Sequence, residues 1–164
     1  MIPIKQTIER RGTGFSAKEW REILKRAWDW AGKYWHKFIL PKHFTRAGAS
    51  EYNYKPRKKE TEIRKARKFH HRRPLVFSGD LERAAKRVRD IRASSKGANI
   101  ILKNLPRYVF QYRGDDPRKA RELTAASERD AKAVAAVMDK QIQRDIDKGA
   151  KTIDLTRGHS TGTI

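Results

Sequence analysis

From Ser16 to Phe38 the chain carries a helical pattern to which the rest of the fold has to conform. Trp20, Ile23, Leu24, Ala27, Trp28, Ala31, Tyr34, Trp35 and Phe38 recur at the spacing that places them on one stripe of an α-helix. Ser16-Ala17-Lys18-Glu19 opens the pattern as a capping box: the hydroxyl accepts from an amide three residues on, and the glutamate reaches back. Pro41 is expected to end it, which predicts a helix over 17–39. A stripe this rich in Trp must be covered, so other elements have to supply a matching apolar face. Trp30 falls off the stripe and is expected on a second surface.

A second stripe lies towards the other end. Ser127-Glu128-Arg129-Asp130 reads as a capping box with Asp in place of Glu. Ala131, Val134, Ala135, Met138, Ile142 and Ile146 follow at helical spacing, and Gly149 is expected to stop the helix. Between the two stripes, Leu81, Ala84, Ala85 and Val88 share one face of a short helix, with Ser78 or Asp80 as its cap. A hairpin pattern comes next, with a first strand over Val88 to Ala93 and a turn at Ser94-Ser95-Lys96-Gly97. In the second strand Ala98, Ile100 and Leu102 alternate with Asn99, Ile101 and Lys103. Tyr108, Phe110 and Tyr112 predict a third strand, broken by Gly114-Asp115-Asp116-Pro117, and Arg118 to Ala126 is expected to be an extended edge strand.

Together these elements predict an α+β fold: a small antiparallel sheet packed against a long N-terminal helix and a long C-terminal helix, with a long basic loop. A chain of 164 residues is the size of one domain. That domain is expected over 16–149, with an N-terminal arm over 1–15 and a flexible C-terminal tail over 150–164.

Charge is the other strong constraint. Forty Lys and Arg against nineteen Asp and Glu give +21. The last helix balances five basic residues with five acidic ones, so the excess lies elsewhere. The stretch 41–73 holds twelve Lys and Arg against three Glu and shows no periodicity. Glu60 to Phe69 is compatible with a short helix; the rest reads as a long basic loop, of the kind that is usually functional or disordered. Lys55, Arg57, Lys58, Lys59, Arg64, Lys65, Arg67, Lys68, Arg72 and Arg73 are the residues expected to meet a partner. Self-repulsion at this charge is relieved by an anionic neighbour, whether nucleic acid, an acidic protein surface or anionic lipid. Tyr52 and Tyr54, interleaved with Lys55, Arg57, Lys58 and Lys59, speak for nucleic acid. No helix-turn-helix, zinc-finger or RNA-recognition signature accompanies them.

Catalytic chemistry finds few candidates. The absence of Cys excludes disulfides, thiolate metal sites and cysteine nucleophiles. His70 and His71 are adjacent and point apart on a helix or a strand, so they do not share a metal. His36 and His43 flank Pro41 without a ligand-spaced carboxylate, and His159 sits in the tail. Asp115-Asp116 before Pro117 makes a solvated turn. Gly79 stands alone, without a phosphate-cradling motif. Trp20, Trp28 and Trp35 belong to an amphipathic core rather than to a stacking ladder. The expectation is a protein without enzymatic activity, cofactor or metal. No apolar run is long enough to cross a bilayer, and Met1-Ile2-Pro3-Ile4-Lys5 lacks the apolar core of a signal peptide. Synthesis in the cytoplasm, without a membrane anchor, is expected.

Pro74-Leu75-Val76-Phe77-Ser78-Gly79-Asp80-Leu81 resembles a motif of the virion-morphogenesis, or tail-completion (neck), proteins of tailed bacteriophages. In that family an apolar dipeptide precedes Ser or Thr, Gly, any residue and Leu, and a short helix follows. The later Tyr108-Val109-Phe110-Gln111-Tyr112-Arg113-Gly114 is similar to the family's Tyr-rich strand, and Arg121 to Ala126 followed by Ser127-Glu128-Arg129-Asp130 is similar to its lead into the closing helix. The resemblance spans 16–148. The chain departs from the pattern where a His often precedes the strand-ending Gly, and in the basicity of 41–73. The resemblance implies a structural subunit of the head–tail junction, typically in a ring of six copies. Such a ring completes or terminates the tail and docks it to the head connector, with the tail-tube and head-completion proteins as further partners. It also implies placement in the virion, at the neck or tail end, after assembly in the host cytoplasm, with the basic loop near acidic partners or packaged double-stranded DNA. The alternative expectation is a basic nucleic-acid-binding protein without enzymatic activity.

Overall fold

Helix α1 (Ala17–Tyr34) begins where the capping box places it. In the computed structural model, which describes residues 14–76, 78–87, 89–106, 109 and 118–157, Ser16 N donates to Glu19 Oε2 at 2.6 Å and Glu19 N to Ser16 Oγ at 3.3 Å. Phe15, just before the cap, sets its ring edge-on to Trp20 with 5.9 Å between centroids. This hydrophobic staple fixes the angle at which the chain enters the helix. Trp20, Ile23, Ala27 and Ala31 are buried, as the stripe predicts, while Trp30 is exposed.

Pro41 redirects the helical path instead of ending it. A π-helical turn (Trp35–Ile39) follows α1, and Leu40 N–H reaches back to the Trp35 carbonyl. Proline has no N–H to donate, and in a continuing α-helix its ring would press on the carbonyl four residues before it. The widened turn absorbs that conflict, and a 3-10 turn (Leu40–Phe44) carries the chain on. Ile39, Leu40 and Phe44 are thereby turned inward.

The expected long loop over 41–73 contains two further helices. Helix α2 (Arg46–Glu51) is capped by Thr45, whose Oγ1 accepts from Gly48 N at 3.0 Å. Helix α3 (Lys59–Phe69) matches the short helix anticipated for 60–69. It ends at His70, which adopts left-handed backbone (φ 54°) and donates its N–H to the Ala66 carbonyl at 3.1 Å.

Helix α4 (Asp80–Arg87) buries Leu81 and Ala85. Its capping position is held by Gly79, whose carbonyl accepts from Arg83 N at 2.9 Å, and not by Ser78 or Asp80. Strands β1 (Arg89–Ser94) and β2 (Gly97–Leu102) pair antiparallel with Ile91 opposite Ile100 and Ser94 opposite Gly97. Ile91 and Ile100 lie over Gly32, so the hairpin's apolar face covers α1. The third strand expected over Tyr108, Phe110 and Tyr112 lies outside the described residues, apart from Val109, which is buried.

The segment expected as an extended edge strand is instead helix α5 (Arg118–Thr124). Arg, Lys, Ala, Glu and Leu are all strong helix formers, and this local preference prevails. Helix α6 (Glu128–Arg157) starts at the predicted cap: Ser127 N donates to Asp130 Oδ2 at 3.3 Å, and Asp130 N to Ser127 Oγ at 3.2 Å. It does not stop at Gly149. Residues 150–157, expected in the flexible tail, continue the helix; 158–164 lie outside the described residues. Gly149 is the seat of the Phe15 ring, and a Cβ there would fall 2.4 Å from Phe15 Cε1.

Two apolar clusters result, giving the α+β arrangement of hairpin and long helices that the patterns predict. One joins α1 to α6 through Trp20, Ile23, Ala27, Val134, Met138 and Ile142. The other gathers Leu40, Phe44, Val76, Leu81, Ala85, Val109 and Leu123. Trp35 packs against both. Arg26 ties α1 to α6 through Asp145 at 2.9 Å. Among the described residues no helix is long and apolar enough to cross a membrane.

Candidate functional site

A close group of titratable side chains surrounds His43, in the 3-10 turn. His43 is fully buried, and its ring stacks on Tyr52, 4.0 Å between centroids and 5° between planes. The Glu122 carbonyl of α5 can only accept, and it lies 3.0 Å from His43 Nδ1 and 2.8 Å from the Tyr54 hydroxyl. Nδ1 therefore carries the proton, and Nε2 is left buried without a hydrogen bond. Burial pulls the His43 pKa down to about 4, against weaker upward pulls from the Glu122 carbonyl and Asp130. Burial likewise raises both tyrosines.

Asp130 closes the group from the α6 side. Burial alone would raise its pKa, but hydrogen bonds led by that from Lys42 Nζ, at 2.7 Å, hold it below the usual carboxylate range. The Tyr52 hydroxyl is buried beside Asp130 and adds to that lowering, while the nearby carboxylate helps burial to raise the phenol's own pKa. Arg57 forms an ion pair with the Glu122 carboxylate. Gly48 lets α2 approach this turn closely, since a Cβ there would stand 2.1 Å from the Lys42 carbonyl oxygen.

Chemically this group is a brace. A general base needs a pKa near the working pH and access to a substrate proton; His43 has neither. The arrangement fastens the segment around Tyr52 and Tyr54 to α5 and α6. It also removes those two tyrosines from the stacking role that their interleaving with basic residues suggested, because Tyr52 already stacks on His43.

The ten basic residues expected to meet a partner divide into two sets. Arg57, Lys65 and Arg73 are committed to the fold. Lys65 is only 6% exposed, donates to the Arg73 carbonyl, and has its pKa lowered mainly by burial. Arg73 reaches Glu82 of α4 at 3.1 Å. Lys55, Lys58, Lys59, Arg64, Arg67, Lys68 and Arg72 are exposed. Of these, Lys59, Arg64, Arg67 and Lys68 project from α3, the last three beside Ile63, itself 47% exposed. Lys68 Nζ lies 5.5 Å from the centre of the Phe69 ring. The structure thus turns the basic loop into a short cationic helix anchored from beneath.

A second cationic area lies by the hairpin, where Arg83, Lys86, Arg87 and Lys103 border a shallow hollow. Lys86 pairs with Glu82 at 2.6 Å, and Lys103 with Asp90 at 3.6 Å. Among the described residues no group of three or more His, Asp or Glu is placed to hold a metal ion. Comparison with protein-family models, curated proteins and solved structures gives no match.

Proposed function

We propose that this protein is a non-catalytic structural subunit of the head–tail junction of a tailed phage. Copies associate into a ring that completes or terminates the tail and docks it to the head connector. The motifs quoted over 16–148 support the junction assignment. The observation that carries the docking step is α3, which presents Lys59, Arg64, Arg67 and Lys68 to solvent while Lys65 fastens its inner side. Cations gathered on a braced helix lose little backbone freedom when an anionic surface arrives. Ring formation draws support from the hairpin: among the described residues its sheet has two strands, and a neighbouring copy can cover an outer edge.

The same cations also suit duplex phosphates, so the test has to separate the two readings. The molar mass of the purified protein is measured alone and after mixing with isolated tail tubes. A closed oligomer in either sample, with unjoined heads and tails accumulating when the gene is removed, is the expected result. A monomer in both samples, combined with duplex-DNA affinity that drops steeply with salt through counterion release, would transfer the assignment to nucleic-acid binding.

A further inference from the structure

A groove of about 240 Å³ runs between α1, with its π-helical extension, and α6. Its floor and walls are mostly apolar, and two aromatic rings stand half out of it: Trp30 is 47% exposed and Phe38 50%. Lys33 and Lys37 rise from the α1 side, Lys140 and Arg144 from the α6 side. Lys33 pairs with Asp29 at 2.5 Å. Lys37 lies over the Phe38 ring at 5.1 Å and, like Lys140 and Arg144, makes no ion pair among the described residues. Neither Trp30 nor Phe38 belongs to the two interior clusters; Phe38 tilts against Tyr34 with 5.0 Å between ring centroids, and both rings keep about half of their surface in solvent.

The chemistry selects among occupants. Duplex DNA would neutralise the cations but offers no apolar surface to cover an indole and a phenyl ring. A second copy would bring the same cations face to face, on a chain whose net charge is already +21. Eight residues separate Trp30 from Phe38, about 12 Å along a helix axis, which a ligand helix spans in about two turns with apolar anchors at i, i+4 and i+7. Cations on both walls then match carboxylates on both flanks of that ligand. We propose that this groove binds an acidic amphipathic helix of a partner protein, seated on Trp30 and Phe38 and held by Lys37, Lys140 and Arg144. The inference goes beyond the head–tail reading and does not depend on it.

The probe is a fluorescent synthetic helix of about four turns, with Leu and Phe on one face and Glu on both flanks, titrated against the full chain by anisotropy. Its comparators are a scrambled peptide of the same composition, polyglutamate of equal charge, and oligodeoxythymidine of equal charge. The helix is expected to bind saturably and roughly tenfold tighter than each comparator. Trp30→Ala with Phe38→Ala is expected to weaken it by about tenfold, as is Lys140→Glu with Arg144→Glu, with far-UV circular dichroism unchanged. On the unaltered protein, a photo-crosslinker on the peptide's apolar face is expected to attach within 30–38 or 137–144. Comparable affinity for polyglutamate or oligodeoxythymidine would overturn the proposal, as would attachment elsewhere. So would concentration-dependent dimerisation that disappears in the Trp30→Ala, Phe38→Ala protein, since a second copy would then own the groove.

Discussion

The imidazole of His43 is stable in the interior only while neutral. Its pKa is near 6.5 in an unfolded chain and about 4 in the folded one. Between those values the unfolded chain holds a proton that the folded one refuses, so stability is full above about pH 6.5 and declines as pH falls towards 4. A shift of this size corresponds to on the order of 3 kcal/mol. Urea midpoints at pH 7.5 and 4.5 are expected to differ accordingly. His43→Asn, whose amide can still donate to the Glu122 carbonyl, is expected to show a flatter profile. Gly48 offers a second test in the same region. An alanine there gains at most about 1 kcal/mol of helix propensity. Its methyl would stand 2.1 Å from a main-chain oxygen that cannot swing aside, and overpacking of that kind costs about 1–3 kcal/mol or more. The clash wins, so Gly48→Ala is expected to lower the urea midpoint.

Among the elements, the two ends of the α1–α6 pair are coupled through Phe15 and Gly149. Gly149→Ala alone drives a methyl into the Phe15 ring and is expected to destabilise by about 1 kcal/mol. With Phe15→Ala in place the clash is gone, and the same change is expected to stabilise by up to about 1 kcal/mol through helix propensity. A double-mutant cycle by chemical denaturation reads this change of sign. That pair also shows what patterning reveals and what it hides. α1, α4, the hairpin and the start of α6 were legible, because caps, period-3.6 stripes and period-2 alternation all act within a few residues. Gly149 reads wrongly as a stop, since the ring that occupies its space lies 134 positions earlier in the chain. α2 has no apolar stripe, being held by the Thr45 cap and by the close approach at Gly48. α5 buries the adjacent pair Glu122 and Leu123, which mimics no helical period. The brace around His43 was invisible for the same reason: Lys42 meets Asp130 across 88 positions of sequence and His43 meets Glu122 across 79. Of the basic residues, only folding separates the anchors Arg57, Lys65 and Arg73 from the outward cations. Their shared composition could not.

At the scale of the whole molecule, the docking role proposed for the excess positive charge can be tested without disturbing the fold. Replacing Lys59, Arg64, Arg67 and Lys68 together by Glu changes exposed positions, where each substitution typically shifts stability by no more than about 0.5 kcal/mol. Melting is expected to change little while joining of heads and tails in extracts fails; normal yields of joined particles would refute the docking role of α3. A reversal at Lys65 would not serve, because it buries a carboxylate beside the Arg73 carbonyl and damages folding instead. The contrast between the two variants separates surface recognition from interior support. Surface attraction of this kind weakens as salt shortens the Debye length, about 8 Å at physiological ionic strength, so joining efficiency is expected to decline with added salt.

Trp35 sits where the two apolar clusters meet, and its indole couples them. Opening either half strips contacts from this indole, so heat or denaturant is expected to dissolve both in a single cooperative step. A neighbour that clamps either end of this domain would therefore stiffen the far end as well.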